Sequence, residues 1–147
     1  MMGVSKALNI ILADEYKLLV KTRNFHWNVI GPFFGPLHEL FGQQYNTLNS
    51  LTDEIAERIR QLKGQSFGSM QQFLAAGRLV EVPAPPTDSA EMIRLVLQDH
   101  EALVEDLRKT ATKVDTADCV TANIILDWAA RHEKMAWFLR SHLESSK

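Results

Sequence analysis

Four side chains of metal-ligating type, His26, His38, Asp53 and Glu57, are spaced so that one copy of the chain cannot bring them together. His38, Asp53 and Glu57 share one unbroken helical pattern from Pro36 to Lys63, opened by Gly31-Pro32 and Pro36 and closed by Gly64. At a rise of about 1.5 Å per residue, His38 and Asp53 stand roughly 22 Å apart along that helix, whereas each ligand of one cation lies within about 2.0–2.2 Å of it. Asp53 and Glu57 are one helical turn apart and can hold a cation between them, so the remaining ligands must come from elsewhere. Two copies of the helix packed antiparallel, crossing near Asn46 to Leu48, would set His38 of one level with Asp53 and Glu57 of the other. A two-fold axis would then build two identical sites.

Two imidazoles and two carboxylates suit iron, manganese or zinc, with positions left open for water or an oxidant. Each residue also has a plainer reading. His26 lies on an apolar stripe and could be a hydrogen-bonded core residue, and Asp53 and Glu57 could form a solvated face pairing with Arg58 or Arg60. The intrachain di-iron arrangement of helical bundles needs Glu-x-x-His on two helices. The residues three before His26, His38, His100, His132 and His142 are Arg23, Gly35, Leu97, Ala129 and Leu139, so that arrangement is absent.

The elements that must position these residues are helical throughout, because the apolar period is 3.6 nearly everywhere and nothing alternates long enough for a strand. The first helix spans roughly Val4 to Asn28, with Leu8, Ile11, Leu12, Leu19 and Phe25 on one stripe and His26 facing the same way. The second buries Leu37, Phe41, Tyr45, Leu48, Leu51, Ile55, Ile59 and Leu62. A connection from Gly64 to Pro86 carries a short helix over Met70 to Ala76. A third long helix starts at an Asp88 cap to which Glu91 reaches back, and a fourth runs from about Thr121 to Leu143. Four long helices with one long crossover predict an all-α, ferritin-like four-helix bundle, one domain over residues 1–147.

The chain has 147 residues, 46% of them hydrophobic, and a net charge of −2, which opposes a globally basic nucleic-acid surface. No stretch approaches about 18 apolar residues and no charged region leads an apolar core at the N-terminus, so a cytoplasmic protein with no membrane partner is expected. The single cysteine, Cys119, suits a reducing compartment and reads as a small apolar residue. His100 and His132 read as core histidines, and His142 as a residue favoured by the helix dipole. Asp115, Asp118 and Asp127 read as solvated surface.

Phe25-His26-Trp27-Asn28, Gly31-Pro32, Leu37-His38-Glu39 and Asp53-Glu54-Ile55-Ala56-Glu57-Arg58 followed by Gly64 together resemble the signature of the Dps family of miniferritins. Gly68-Ser69 with Phe73, the Asp88 cap, and His132-Glu133-Lys134 with Trp137 and Leu139-Arg140 extend the resemblance over nearly the whole chain. The resemblance implies a hollow homo-dodecamer that oxidises ferrous iron between two-fold-related subunits, often with hydrogen peroxide, and stores a ferric mineral, protecting against oxidative stress. His26 and His38 would be ligands from one subunit and Asp53 and Glu57 from its partner, with Trp27 beside the metal as an electron donor or as packing. Many members also bind DNA, commonly through a lysine-rich extension. Here only Lys6 is read as preceding the first helix and only Lys147 as following the last, so strong DNA binding is not expected, and the resemblance to a cage gives Asp115, Asp118 and Asp127 a second reading as the lining of an iron entry pore.

One position departs from the family. Four residues after His38, where the family commonly has an acidic ligand, stands Gly42. Glycine costs about 0.5–1 kcal/mol relative to alanine within a helix, and close approach of two helices at the dimer crossing is one explanation for it. A missing carboxylate weakens the second cation unless water, Glu39, Gln43 or a paralogous subunit replaces it. Two readings therefore stand: a ferroxidase and iron store, or a shell that binds metal or DNA without efficient turnover.

Overall fold

The computed structural model describes residues 2–144, which form five helices and no strand. They are α1 (Met2–Asn28), α2 (Phe34–Gln61), α3 (Met70–Ala76), α4 (Ser89–Asp115) and α5 (Cys119–Ser141). Helix α1 packs along α2 and α4 along α5, giving two hairpins that meet through α1 against α4 and α2 against α5. Fully buried side chains from all four long helices make one core: Leu8 and Phe25 of α1, Phe41 and Leu51 of α2, Val96 and Leu107 of α4, Ile125 and Trp128 of α5. Each such residue contributes about 1.5–3 kcal/mol by leaving water. The ferritin-like bundle expected from the apolar period is the fold observed.

The turn between α1 and α2 depends on Gly31, whose φ of 107° lies in the left-handed region that costs other residues strain. Helix α2 then begins at Phe34, two residues earlier than expected. Pro36 sits inside its first turn, where a missing N–H removes no intrahelical hydrogen bond. At the other end Lys63, not Gly64, takes the left-handed conformation, with φ 65°. Gly64 is small for a different reason: a Cβ there would lie 2.5 Å from Ser5 Oγ of α1.

The crossover, residues 62–88, is tied to α1 by buried polar side chains. Asn9 donates to Gln65 O and accepts from Phe67 N–H, Lys17 donates to Gly77 O and Leu79 O, and Asp14 accepts from the backbone of Arg78 and Leu79. Phe73 of α3 stacks on Tyr16, centroids 4.3 Å apart. The full capping box belongs to α3, where Ser69 and Gln72 exchange side-chain and backbone bonds. At α4 Asp88 does cap, accepting from Ala90 N–H, but Glu91 pairs with Arg94 instead of reaching back. Helix α5 starts at Cys119, two residues earlier than the sequence indicated, because Asp118 is its N-cap. Cys119, read as a small apolar residue, is a free and exposed thiol there. No helix among the described residues is long and apolar enough to cross a membrane.

Candidate metal centre

The last turn of α1 and the second turn of α2 bring His26 and His38 together. Their rings stack with centroids 3.8 Å apart and planes 16° from parallel. His26 Nδ1 lies 2.6 Å from the backbone oxygen of His38, and His38 Nδ1 lies 2.6 Å from the backbone oxygen of His26. A carbonyl only accepts, so both Nδ1 atoms carry protons and donate. In the neutral ring each Nε2 then keeps a lone pair, the form in which imidazole binds a metal, and each ring is oriented by the kind of backbone bond that metal-ligating histidines usually make.

Gly42 has its explanation in the same place. A Cβ built on it falls 3.0 Å from Cε1 and 3.1 Å from Nδ1 of His26, so the ring rests against the bare backbone of α2. The close approach is between a glycine and a ring of the same chain, and no dimer crossing is needed to account for it. The seated ring also has Tyr45 at its edge, 5.2 Å between centroids, and Phe34 stacks on the far side of His38 at 5.1 Å.

Trp27 projects away from the core, 67% exposed. It is tied to the pair through Arg23, whose guanidinium carbon lies 5.9 Å from the Trp27 ring and 5.1 Å from that of Tyr45. Neither Arg23 nor Tyr45 is of metal-ligating type, and nothing in their residue types marks them for this arrangement. Their signal was available, since Arg23 precedes Trp27 by one helical turn and Tyr45 follows His38 by two.

Asp53 and Glu57 are exposed on α2, and neither makes a salt bridge among the described residues. The arginines suggested for them are engaged elsewhere: Arg58 binds Thr121, Asp118 and Gln61, and Arg60 donates to Gly64 O. No group of three or more His, Cys, Asp or Glu able to hold a metal ion occurs among the described residues of the single chain. One chain thus presents two candidate half-sites, an imidazole pair where the end of α1 meets the start of α2 and a carboxylate pair one turn apart in the second half of α2.

The other sequence candidates fall into structural roles. Asp118 accepts from Thr121 N–H and is paired with Arg58; the bonds from Thr121 hold its carboxyl below the usual carboxylate range. Asp127 is paired with Arg131, which also binds Glu54. That arginine contact, with the Trp128 indole N–H donating to Glu54 at 3.2 Å, lowers the Glu54 carboxyl. His142 caps the end of α5 and donates from Nδ1 to Phe138 O, 2.8 Å away. Lys6 lies within α1, not ahead of it, and Lys147 is outside the described residues.

The ferritin-like domain family matches residues 5–147. A low temperature-induced protein of Nostoc sp. is 40% identical over 144 residues, covering 97% of this chain and 80% of the relative. A DNA protection during starvation protein of Brevibacillus brevis is 34% identical, covering 96% of this chain and 95% of the relative. Among solved structures, Dps from Thermosynechococcus elongatus superposes with a TM-score of 0.94 at 25% identity, covering 99% of this chain and 93% of that one. A Dps protein from Bacillus brevis does so with a TM-score of 0.93 at 33% identity, covering 97% and 96%. With the signature residues around His26, His38 and Asp53-Glu57 in place on this bundle, the chain belongs to the Dps family of ferritin-like proteins.

Proposed function

We propose that the protein is a cytoplasmic ferroxidase and iron store, assembled as a homo-dodecameric cage from two-fold dimers, in which each catalytic site joins His26 and His38 of one subunit to Asp53 and Glu57 of another. The observation that carries this reading is the reciprocal Nδ1–carbonyl bonding of the two histidines, which leaves two Nε2 lone pairs on a preorganised pair. The exposed carboxylates of Asp53 and Glu57 supply the complementary charge. The likeness to a Vibrio cholerae Dps protein, described as a member of a superfamily of ferritin-like diiron-carboxylate proteins, supports iron as the metal at 28% identity and a TM-score of 0.92.

Two imidazoles and two carboxylates per site leave coordination positions open for a second cation and for the oxidant. Ferrous iron is the substrate here. Two ferrous ions each give one electron, hydrogen peroxide takes both as its O–O bond breaks, and the hydroxide formed goes to ferric hydrolysis. Trp27, linked to His26 through Arg23 and Tyr45, would give the second electron when only one ferrous ion is bound. Zinc or manganese would compete for the same ligands.

The absence of a carboxylate at Gly42 favours a second reading, a cage that binds metal with slow turnover, because the cation facing His38 has one fewer anionic ligand. Anaerobic addition of ferrous iron followed by peroxide, with stopped-flow absorbance and sedimentation of the loaded particle, tests the proposal. Rapid oxidation with a heavy particle supports the ferroxidase. Bound ferrous iron that oxidises no faster than in buffer leaves the slow shell.

A further inference from the structure

Away from the metal centre, the middle of the bundle holds ionisable groups that the proposed reaction does not use. Glu15 of α1, His100 of α4 and His132 of α5 are each 0% exposed. His132 Nε2 lies 2.5 Å from Glu15 Oε1, and the Nδ1 atoms of His132 and His100 face each other at 2.8 Å. At the two ends, Glu15 Oε2 and His100 Nε2 are buried without a hydrogen-bond partner. Glu15 belongs to the first hairpin and both histidines to the second, so the three residues tie the hairpins together through the core.

Counting protons limits what this chain of groups can be. Each of the two contacts requires one proton between its heavy atoms. With those two alone, the carboxylate is ionised, both imidazoles are neutral, and a net charge of −1 is sealed in the bundle. The charged groups around it are committed. Lys21 of α1 pairs with Asp99 of α4, Arg78 of the crossover with Asp14 and Asp106, and Arg131 of α5 with Glu54 of α2 and Asp127. Helix α3 carries no charged residue. An uncompensated buried charge is strongly disfavoured.

A third proton removes the charge without breaking either contact, and it fits at either unpartnered end. Placed on Glu15 Oε2, it leaves Oε1 accepting from His132 Nε2–H and His132 Nδ1 accepting from His100 Nδ1–H. Placed on His100 Nε2, it leaves His132 donating from both nitrogens, to the Glu15 carboxylate and to His100 Nδ1. Either arrangement is neutral with three protons. A fourth would create a sealed positive charge, and burial already holds His100 well below the ordinary histidine range, helped by the adjacent His132.

We propose that Glu15, His132 and His100 form a neutral, three-proton latch between the two helical hairpins, making the joint between them sensitive to pH. The sign follows from the unfolded chain. There the glutamate is ionised above about pH 5.5, so unfolding releases the third proton and the latch weakens as pH rises. Below about pH 6.5 the unfolded imidazoles take up protons that the sealed pair refuses, so the latch weakens again with acid. It is strongest near neutrality.

Glu15→Gln separates this proposal from a buried carboxylate. The amide has the shape of a protonated glutamate, keeps the acceptor for His132 and carries no titrating proton. In urea unfolding of the assembled protein, the ratio of wild-type to E15Q unfolding constants is expected to rise about tenfold per pH unit between pH 6 and 8. The histidine titration is common to both proteins and cancels. A ratio independent of pH means that the core holds only the two bridging protons and overturns the proposal. If E15Q does not fold, wild-type calorimetry at pH 8 in two buffers of different ionisation enthalpy decides: about one proton released per chain supports the latch, and none overturns it.

Discussion

His26 and His38 orient each other: each ring donates its Nδ1–H to the other's backbone carbonyl at 2.6 Å, so the turn that joins α1 to α2 fixes both rings. Bonds of this kind hold the candidate imidazole pair in place before any metal arrives, which would lower the reorganisation that binding requires. Because both acceptors are backbone oxygens, replacing one histidine leaves the bond that orients the other.

Sharing between subunits is tested by complementation. His26→Ala/His38→Ala and Asp53→Ala/Glu57→Ala proteins should each fail to oxidise iron at the site. Dissociated and reassembled together, they should recover part of the activity, because a mixed dimer contains one intact ligand set and one doubly broken set. Verified co-assembly with no recovery would refute the shared site.

Gly42 is expected to act through His26. Gly42→Ala removes a helical glycine and by propensity alone should stabilise α2 by about 0.5–1 kcal/mol. Its Cβ, however, falls 3.0 Å from a ring already held by a hydrogen bond and by stacking. We expect zinc or ferrous affinity to fall several-fold in calorimetric titration while the thermal midpoint changes little; unchanged affinity would show that the ring has room to move. Gly42→Asp would add a carboxylate and displace the same ring, so it does not simply restore a missing ligand.

Asp118 gives a prediction with a defined pH sign. It caps α5 through Thr121 and meets Arg58 of α2, and Asp118→Ala should cost about 1–2 kcal/mol near pH 7, at the upper end for a cap because an ion pair is lost as well. Its carboxyl is lowered in the fold, so the contribution is present above the unfolded value of about 3.9 and is lost as pH falls through the lower folded one. The wild-type and variant unfolding curves should therefore converge only below about pH 4. A gap that stays constant down to pH 2.5 would show that the cap does not depend on the charge.

Binding to duplex DNA should be undetectable near physiological salt, because a net charge of −2 gives the surface no overall attraction for a polyanion. Fluorescence anisotropy at about 150 mM salt checks this, since a folded basic patch able to bind would still show there.

The sequence by itself determined the helical bundle, the faces that are buried and the separation of His38 from Asp53, because the 3.6-residue period and the rise per residue are properties of a single helix. It also identified His100 and His132 as core histidines, since each lies on an apolar stripe. Only the tertiary structure decided what those stripes meet. It placed His26 against Gly42, let two histidines twelve residues apart exchange backbone bonds, put Arg23 between Trp27 and Tyr45, and joined His132 to a glutamate 117 residues earlier. The cap at Asp118 and the exposure of Cys119 were likewise settled by where α5 begins. The physical reason is common to all of these. Periodicity reports the direction in which a side chain points, whereas its partner is fixed by how helices distant in sequence approach, and that approach is set by the packing of the whole core.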